Sequence, residues 1–122
     1  MCHFQTLDVY KRAIAFLPTA YELATLVDGE MASQLRRAAL SINSNIAERT
    51  GRFGKDERKF FITARGSAFE CAAVLDAMQQ VGITNRGIPA GYELLHRVVS
   101  MLTKMIEKSP TPTPTPTPTP QS

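Results

Sequence analysis

Cysteine is scarce in this 122-residue chain, where Cys2 and Cys71 lie far apart and without CxxC spacing. A disulfide framework and a structural zinc site both need more ligands than that, so neither is expected, and Cys71 reads as a small buried apolar residue. Histidine is equally rare. His3 and His96 are remote in sequence, and the Glu-x-x-His repeats that build a di-metal centre inside a helical bundle are missing, so no metal and no cofactor is expected. A nucleophile elbow and a glycine-rich phosphate loop are absent as well, which leaves no local constellation for catalysis and makes a non-enzymatic role the expectation. The apolar runs fall far short of the roughly 20 residues that span a bilayer. Residues 1–8 mix Cys2, His3, Gln5 and Thr6 without the basic patch, long apolar run and small-residue cleavage site of a secretory signal. The cytoplasm is therefore the expected compartment.

What the chain does contain is helical periodicity. Its length suits one domain with a single modest core. Leu7, Tyr10, Ile14, Leu17 and Tyr21 step by three and four, and Val9, Ala13, Phe16, Ala20 and Leu23 form a second seam beside them, so the first helix is expected to meet neighbours on two sides. Pro18 deletes a backbone donor, which predicts a bend or local break over 14–18. Asp28 and Gly29 mark the first turn. A second helix is predicted over 31–50 on the seam Leu35, Ala39, Ile42 and Ile46. Asp56 and Glu57 suit the positive end of a third helix, predicted over 56–81. Its stripe is Phe60, Ala64, Ser67, Cys71, Val74, Met78 and Val81, widened by Phe61, Ala68 and Leu75. Pro89 opens a fourth helix on Tyr92, Leu95, Val99, Leu102 and Ile106, ending near Lys108. Short connections favour antiparallel neighbours, so residues 1–108 are predicted to be an all-α, antiparallel up-and-down four-helix bundle. Residues 109–122 form a separate Thr-Pro-rich tail, extended and polyproline-like, whose repeat reaches roughly 30 Å at about 3.1 Å per residue. A low-complexity extension and a rigid spacer or docking peptide are both compatible with that composition.

Two regions depart from ordinary bundle composition. Ser41, Asn43, Ser44 and Asn45 are mediocre helix formers in the middle of the second helix. Either small side chains let helices approach closely, with Gly66, Ser67 and Ala68 as the facing surface and Asn45 as a buried register-fixing amide, or they form a polar partner surface. The carboxylates Glu48 and Glu70 lie in the same region, and pairing with Arg37 or Arg65 suits them better than an acid–base role. Basic residues crowd 36–65, where Arg36, Arg37, Arg49, Arg52, Lys55, Arg58, Lys59 and Arg65 face three acidic residues, a local charge of +5 in a chain of net +3. Guanidinium groups gathered near the 51–54 loop suit phosphate. A solvated face laced with weak pairs such as Glu48 with Arg52 is the alternative.

These same residues carry a family resemblance. The string from Gln34 through Leu35, Arg36, Arg37, Ala38, Ala39, Leu40, Ser41 and Ile42, continuing over Ser44, Asn45, Ile46, Ala47 and Glu48 to Gly51 and Arg52, closely resembles the signature of four-helix-bundle proteins encoded in bacterial 23S ribosomal RNA intervening sequences. A second match runs through Ala64, Arg65, Gly66, Ser67, Ala68, Phe69 and Glu70, with Leu75 following. Asn43 stands where the family usually has Pro, Arg49 where Gly usually follows the Glu, and Ala72 where a second acid is usual. The resemblance implies a bundle that assembles into a homo-oligomer, commonly a five-membered ring, or pentamer. It supplies no activity. The ribosomal RNA setting points to RNA contact, and similar bundles serve as accessory proteins of diversity-generating retroelements that bind reverse transcriptase and nucleic acid.

The leading expectation is thus a homo-oligomer that contacts RNA or other nucleic acid through Arg36, Arg37, Arg49, Arg52, Lys55, Arg58 and Lys59. Ser41, Ser44, Asn45, Glu48, Gly66, Ser67 and Glu70 are the expected packing or interface residues. The competing expectation is a scaffold whose partner is a protein.

Overall fold

The computed structural model describes residues 3–48 and 57–109, with side chains from Thr6 onward. Four helices account for nearly all of them: α1 (His3–Ala24), α2 (Gly29–Glu48), α3 (Glu57–Gln80) and α4 (Gly87–Lys108). Each packs on its sequential neighbour, and α4 closes back on α1, which makes a four-sided bundle with α1 and α3 on one diagonal. The all-α prediction holds, and no strand occurs among the described residues. The 49–56 connection and the tail beyond Ser109 lie outside the described residues.

The core follows the predicted seams with informative shifts. On α2, Leu35, Ala39, Ile42 and Ile46 are fully buried, as their spacing requires. On α1, the seam Val9, Ala13, Phe16, Ala20 and Leu23 is buried, whereas its companion is not: Leu7, Ile14 and Tyr21 are exposed and only Tyr10 and Leu17 flank the core. A helix at a corner of a four-sided bundle turns one arc inward, too narrow to bury two adjacent seams. On α3 the centre of burial lies nearer Phe61, Ala68 and Leu75; Phe60 is half-buried and Val81, past the helix end, is exposed. The α4 seam is rotated in the opposite sense, with Ile88, Gly91, Val98 and Met105 buried beside Leu95, Leu102 and Ile106, while Tyr92 and Val99 are half-buried. Gly91 permits this: a Cβ there would lie 3.2 Å from Leu75 and 3.3 Å from Phe16.

Pro18 does not break α1, which runs through it without interruption. The proline ring is on the exposed side, and the buried stripe on either side of it holds the helix together across the missing donor. The helix ends earlier than its turn residues suggested, because Thr25 and Leu26 donate to the Glu22 and Leu23 carbonyls in a tightened last turn. Gly29, at φ 58°, opens α2 instead of closing α1. At the far end of α3, Ile83 donates to Met78 and Gly82 to Gln79, the paired bonds of a Schellman motif with Gly82 at φ 90°. Ile83 then packs on the core. Asn85 accepts from the Gly87 N–H at 2.8 Å and so caps α4 in place of Arg86.

Candidate functional site

Of the polar residues in the middle of α2, Ser41 meets α3, and Ser44 and Asn45 bond back to Ser41 within the helix. The Ser41 and Ser67 hydroxyls meet at 2.7 Å. Asn45 donates to the Ser41 carbonyl at 2.8 Å and to its hydroxyl at 3.1 Å, and Ser44 donates to the same carbonyl. Small residues therefore let α2 and α3 approach, and one hydroxyl from each helix meets the other. Ser67 and Ala68 are buried in this contact, but Gly66 is not part of it; it is exposed, and a Cβ there would touch nothing within 4 Å.

Asn43, not Asn45, is the buried amide. It is 4% exposed, and with its oxygen toward the donor it accepts from the Ile14 backbone N–H and donates to the Ala39 carbonyl, each at 3.2 Å. It thus ties α2 to α1 on the side away from α3. The helical period distinguishes the two positions: Asn43 shares the buried side with Ala39 and Ile46, while Asn45 falls toward the rim. Arg65 is placed differently from its expected carboxylate partners, since its guanidinium donates to Thr103 on α4 at 3.1 Å.

The predicted basic residues fall into separate groups. Arg36 and Arg37 are exposed on α2, and Lys59 is exposed with Arg58 half-buried at the start of α3. Because α2 and α3 run antiparallel with Ser41 opposite Ser67, roughly 20 Å of bundle axis separates Arg36 from Arg58 at about 1.5 Å per residue. Arg49, Arg52 and Lys55 belong to the stretch outside the described residues. Arg37 shares a surface cleft of about 400 Å³ with Glu30, Gln34, Ala38, Ser41 and Glu70, so two carboxylates offset its charge. Arg36 has no such neighbours in that cleft.

Sequence reasoning missed a second cleft, of about 570 Å³, between α1 and α4. It is lined by Asp8, Arg12, Glu93, His96, Arg97, Ser100 and Met101, and Arg12 and Asp8 pair across one turn at 3.6 Å. Its two guanidinium groups are balanced by two carboxylates, so it has no net preference for an anion. Only the α1–α4 pairing brings these residues together, and nothing in their sequence spacing signals it. One thiol and one phenol titrate above their ordinary range: burial, with the Glu70 charge second, pushes the Cys71 thiol up to about 12, and desolvation together with the Asp76 hydrogen bond pushes the Tyr92 phenol up to about 12. Neither is ionised near neutrality. Among the described residues no three His, Cys, Asp or Glu side chains converge as a metal-holding group, and no helix is long and apolar enough to cross a membrane.

The family model of the 23S rRNA-intervening sequence protein matches residues 5–108, which spans all four helices. The chain belongs to that family. No curated protein matches it. For this intervening-sequence family member the matched region stops where α4 does. The Thr-Pro repeat follows the matched residues.

Proposed function

We propose that this intervening-sequence family member is a non-enzymatic, cytoplasmic homo-oligomer that binds RNA or other nucleic acid through exposed cations of α2 and α3 together with Arg49, Arg52 and Lys55 of the sequence between them. The observation that carries this reading is the local charge of +5 over 36–65, within which Arg36, Arg37 and Lys59 are exposed on the outer surface. Guanidinium and ammonium groups held at the surface by rigid helices neutralise phosphates without first breaking buried pairs. Family membership adds an association with ribosomal RNA genes, which supports the reading through genomic setting and not through contact geometry. A weak site repeated in an oligomer gains affinity from multivalency.

The test is fluorescence anisotropy with a structured ribosomal RNA fragment and a matched DNA duplex at several salt concentrations. Binding that tightens at low salt and favours RNA is expected. Arg52→Glu with Lys55→Glu is expected to weaken binding by about 10-fold or more and to flatten its salt dependence, each lost phosphate contact lowering the slope by about one. Affinity that is unchanged in these variants removes the patch. Absence of RNA binding even at low salt leaves the scaffold reading, in which the partner is a protein such as a reverse transcriptase, and a pull-down after nuclease treatment then identifies it.

A further inference from the structure

The charges in the α1–α4 cleft are not all spent on one another. Glu93, His96, Arg97 and Ser100 recur at steps of three and four, so they share one outward face of α4, and Asp8 and Arg12 border that face from α1. Arg12 pairs with Asp8 at 3.6 Å. Glu93 and Arg97 have the same one-turn spacing, yet among the described residues neither makes an ion pair or a hydrogen bond. A carboxylate with two acceptor oxygens and a guanidinium with its fork of N–H donors thus stand side by side, both open to a ligand.

The packing of α1 on α4 orders these groups along the cleft. Leu23 lies against Gly87, and Phe16 and Thr19 lie against Gly91, so the two helices run antiparallel. Counting back along α1 from these contacts sets Arg12 level with the turn that holds His96 and Arg97, and Asp8 level with Ser100 and Met101. The order is therefore a carboxylate, then two guanidinium groups at one level, then a second carboxylate. A matching ligand has negative charge or acceptors in the middle and N–H donors at one end. The volume of about 570 Å³ admits a group of nucleotide size. The walls are open, however, with the Asp8 side chain 54% exposed and that of Arg12 33%. Sites for free small molecules bury most of the ligand, so this one suits a group presented by a polymer.

We infer that the cleft takes one unpaired guanosine of a bound RNA, with Glu93 and Arg97 reading the base. Guanine carries two adjacent donors, N1–H and the N2 amino group, which match the two oxygens of one carboxylate, and its O6 and N7 acceptors match a guanidinium fork. Glu93 and Arg97 offer that pair of partners one turn apart. Arg12, level with Arg97, meets a phosphate, while Ser100 and Asp8 suit the 2′-hydroxyl, which is donor and acceptor at once. Adenine and cytosine each offer a single amino group and uracil a single N–H, so each leaves one carboxylate oxygen unanswered. This inference rests on the RNA reading above and adds sequence preference to it, because phosphate contacts position a nucleic acid and base contacts specify it. The cleft is on the opposite side of the bundle from the α2–α3 contact, so the base contact and the α2–α3 cations can be removed independently.

The experiment is fluorescence anisotropy of the full chain with labelled single-stranded oligouridine carrying one central guanosine, against the same strand with adenosine, cytidine or uridine at that place. The guanosine strand is expected to bind about 10-fold more tightly, the scale of one good bidentate base contact. Glu93→Gln, at an exposed position and with the parent's helical circular dichroism as its folding control, is expected to bring the ratio of the two affinities to about one. Arg97→Lys, which keeps the charge and loses the fork, is expected to reduce that ratio. Arg52→Glu with Lys55→Glu is expected to weaken all four strands alike and to keep the ratio. Equal binding of the four strands by the parent overturns the guanosine site and leaves the RNA reading in place. A preference that survives Glu93→Gln overturns the assignment to this cleft. Free guanosine monophosphate binding as tightly as the strand overturns the polymer reading in favour of a small-molecule site. No binding of these strands or of structured RNA, even at low salt, overturns the RNA reading itself.

Discussion

Ser41 of α2 and Ser67 of α3 meet hydroxyl to hydroxyl at 2.7 Å, with Ser67 only 4% exposed. The contact fixes both the separation and the register of the two central helices, because a larger side chain on either helix would have to force them apart. Ser67→Leu is expected to destabilise the fold by about 1–3 kcal/mol through overpacking. Ser67→Ala, which keeps the close approach and loses only the hydrogen bond, is expected to cost about 1 kcal/mol. Urea denaturation of the two variants checks the order; equal losses would show that the bond and not the spacing matters.

Pro18 sits inside α1 on its exposed side. The Ile14 carbonyl, one turn earlier, therefore lacks its usual backbone donor. Pro18→Ala restores that donor without disturbing the buried stripe and is expected to stabilise the chain by about 1–3 kcal/mol. Thermal melts followed by circular dichroism read this as a rise in Tm, and a fall would mean that the proline's shape is required by its surroundings.

Two glycines give opposite expectations from the same substitution. Gly82 holds φ 90° at the end of α3, a conformation in which a Cβ is strained, so Gly82→Ala is expected to lower stability by about 1 kcal/mol or more. Gly66 is mid-helix with open space around it, and Gly66→Ala is expected to raise stability by about 0.5–1 kcal/mol. Their Tm shifts should therefore differ in sign.

Cys71 is fully buried and its thiol is pushed up to about 12 by that burial. In a Cys2→Ser background, a thiol reagent at about pH 8 is expected to leave the native protein unmodified and to react once denaturant unfolds it. The linkage has a definite sign. Between the unfolded value of 9.0 and the folded value of about 12 the native state holds the proton that the unfolded state releases, so stability falls as pH rises through that window. Tyr92, raised from 10.0 to about 12, adds to the fall in the upper part of it. Denaturation midpoints for the Cys71→Ala variant should decline less steeply from about pH 9 to 11 than those of its parent.

Legibility in the sequence followed the locality of each signal. Leu35, Ala39, Ile42 and Ile46 could be read as core because a helical seam is defined by its own spacing, and all four are buried. Ser41 and Ser67 could be read as a facing pair because small residues set into two sequential helices mark a place where their backbones approach. The companion seam of α1 could not be assigned from spacing alone, since Leu7, Ile14 and Tyr21 look the same whether a neighbour covers them or not. Likewise Asn43 and Asn45 differ by two residues, and which of them is buried depends on the rotation of α2 against α1. Arg65 pairs with Thr103, 38 positions away, a choice among polar partners that only the α3–α4 contact makes.

By itself the sequence determined that this protein is four helices, because apolar residues recur at helical spacing between turn-forming pairs and do so nowhere at the alternation of a strand. It also determined that positive charge concentrates in 36–65, since charge is a property of composition. Tertiary structure alone decided which arc of each helix is inward, that Arg36 and Arg58 stand apart along the bundle, and that Asn43 reaches α1 while Ser41 reaches α3. Those are relations between helices, set by the rotation and offset at which close-packed side chains interlock, and no single helix's spacing encodes them.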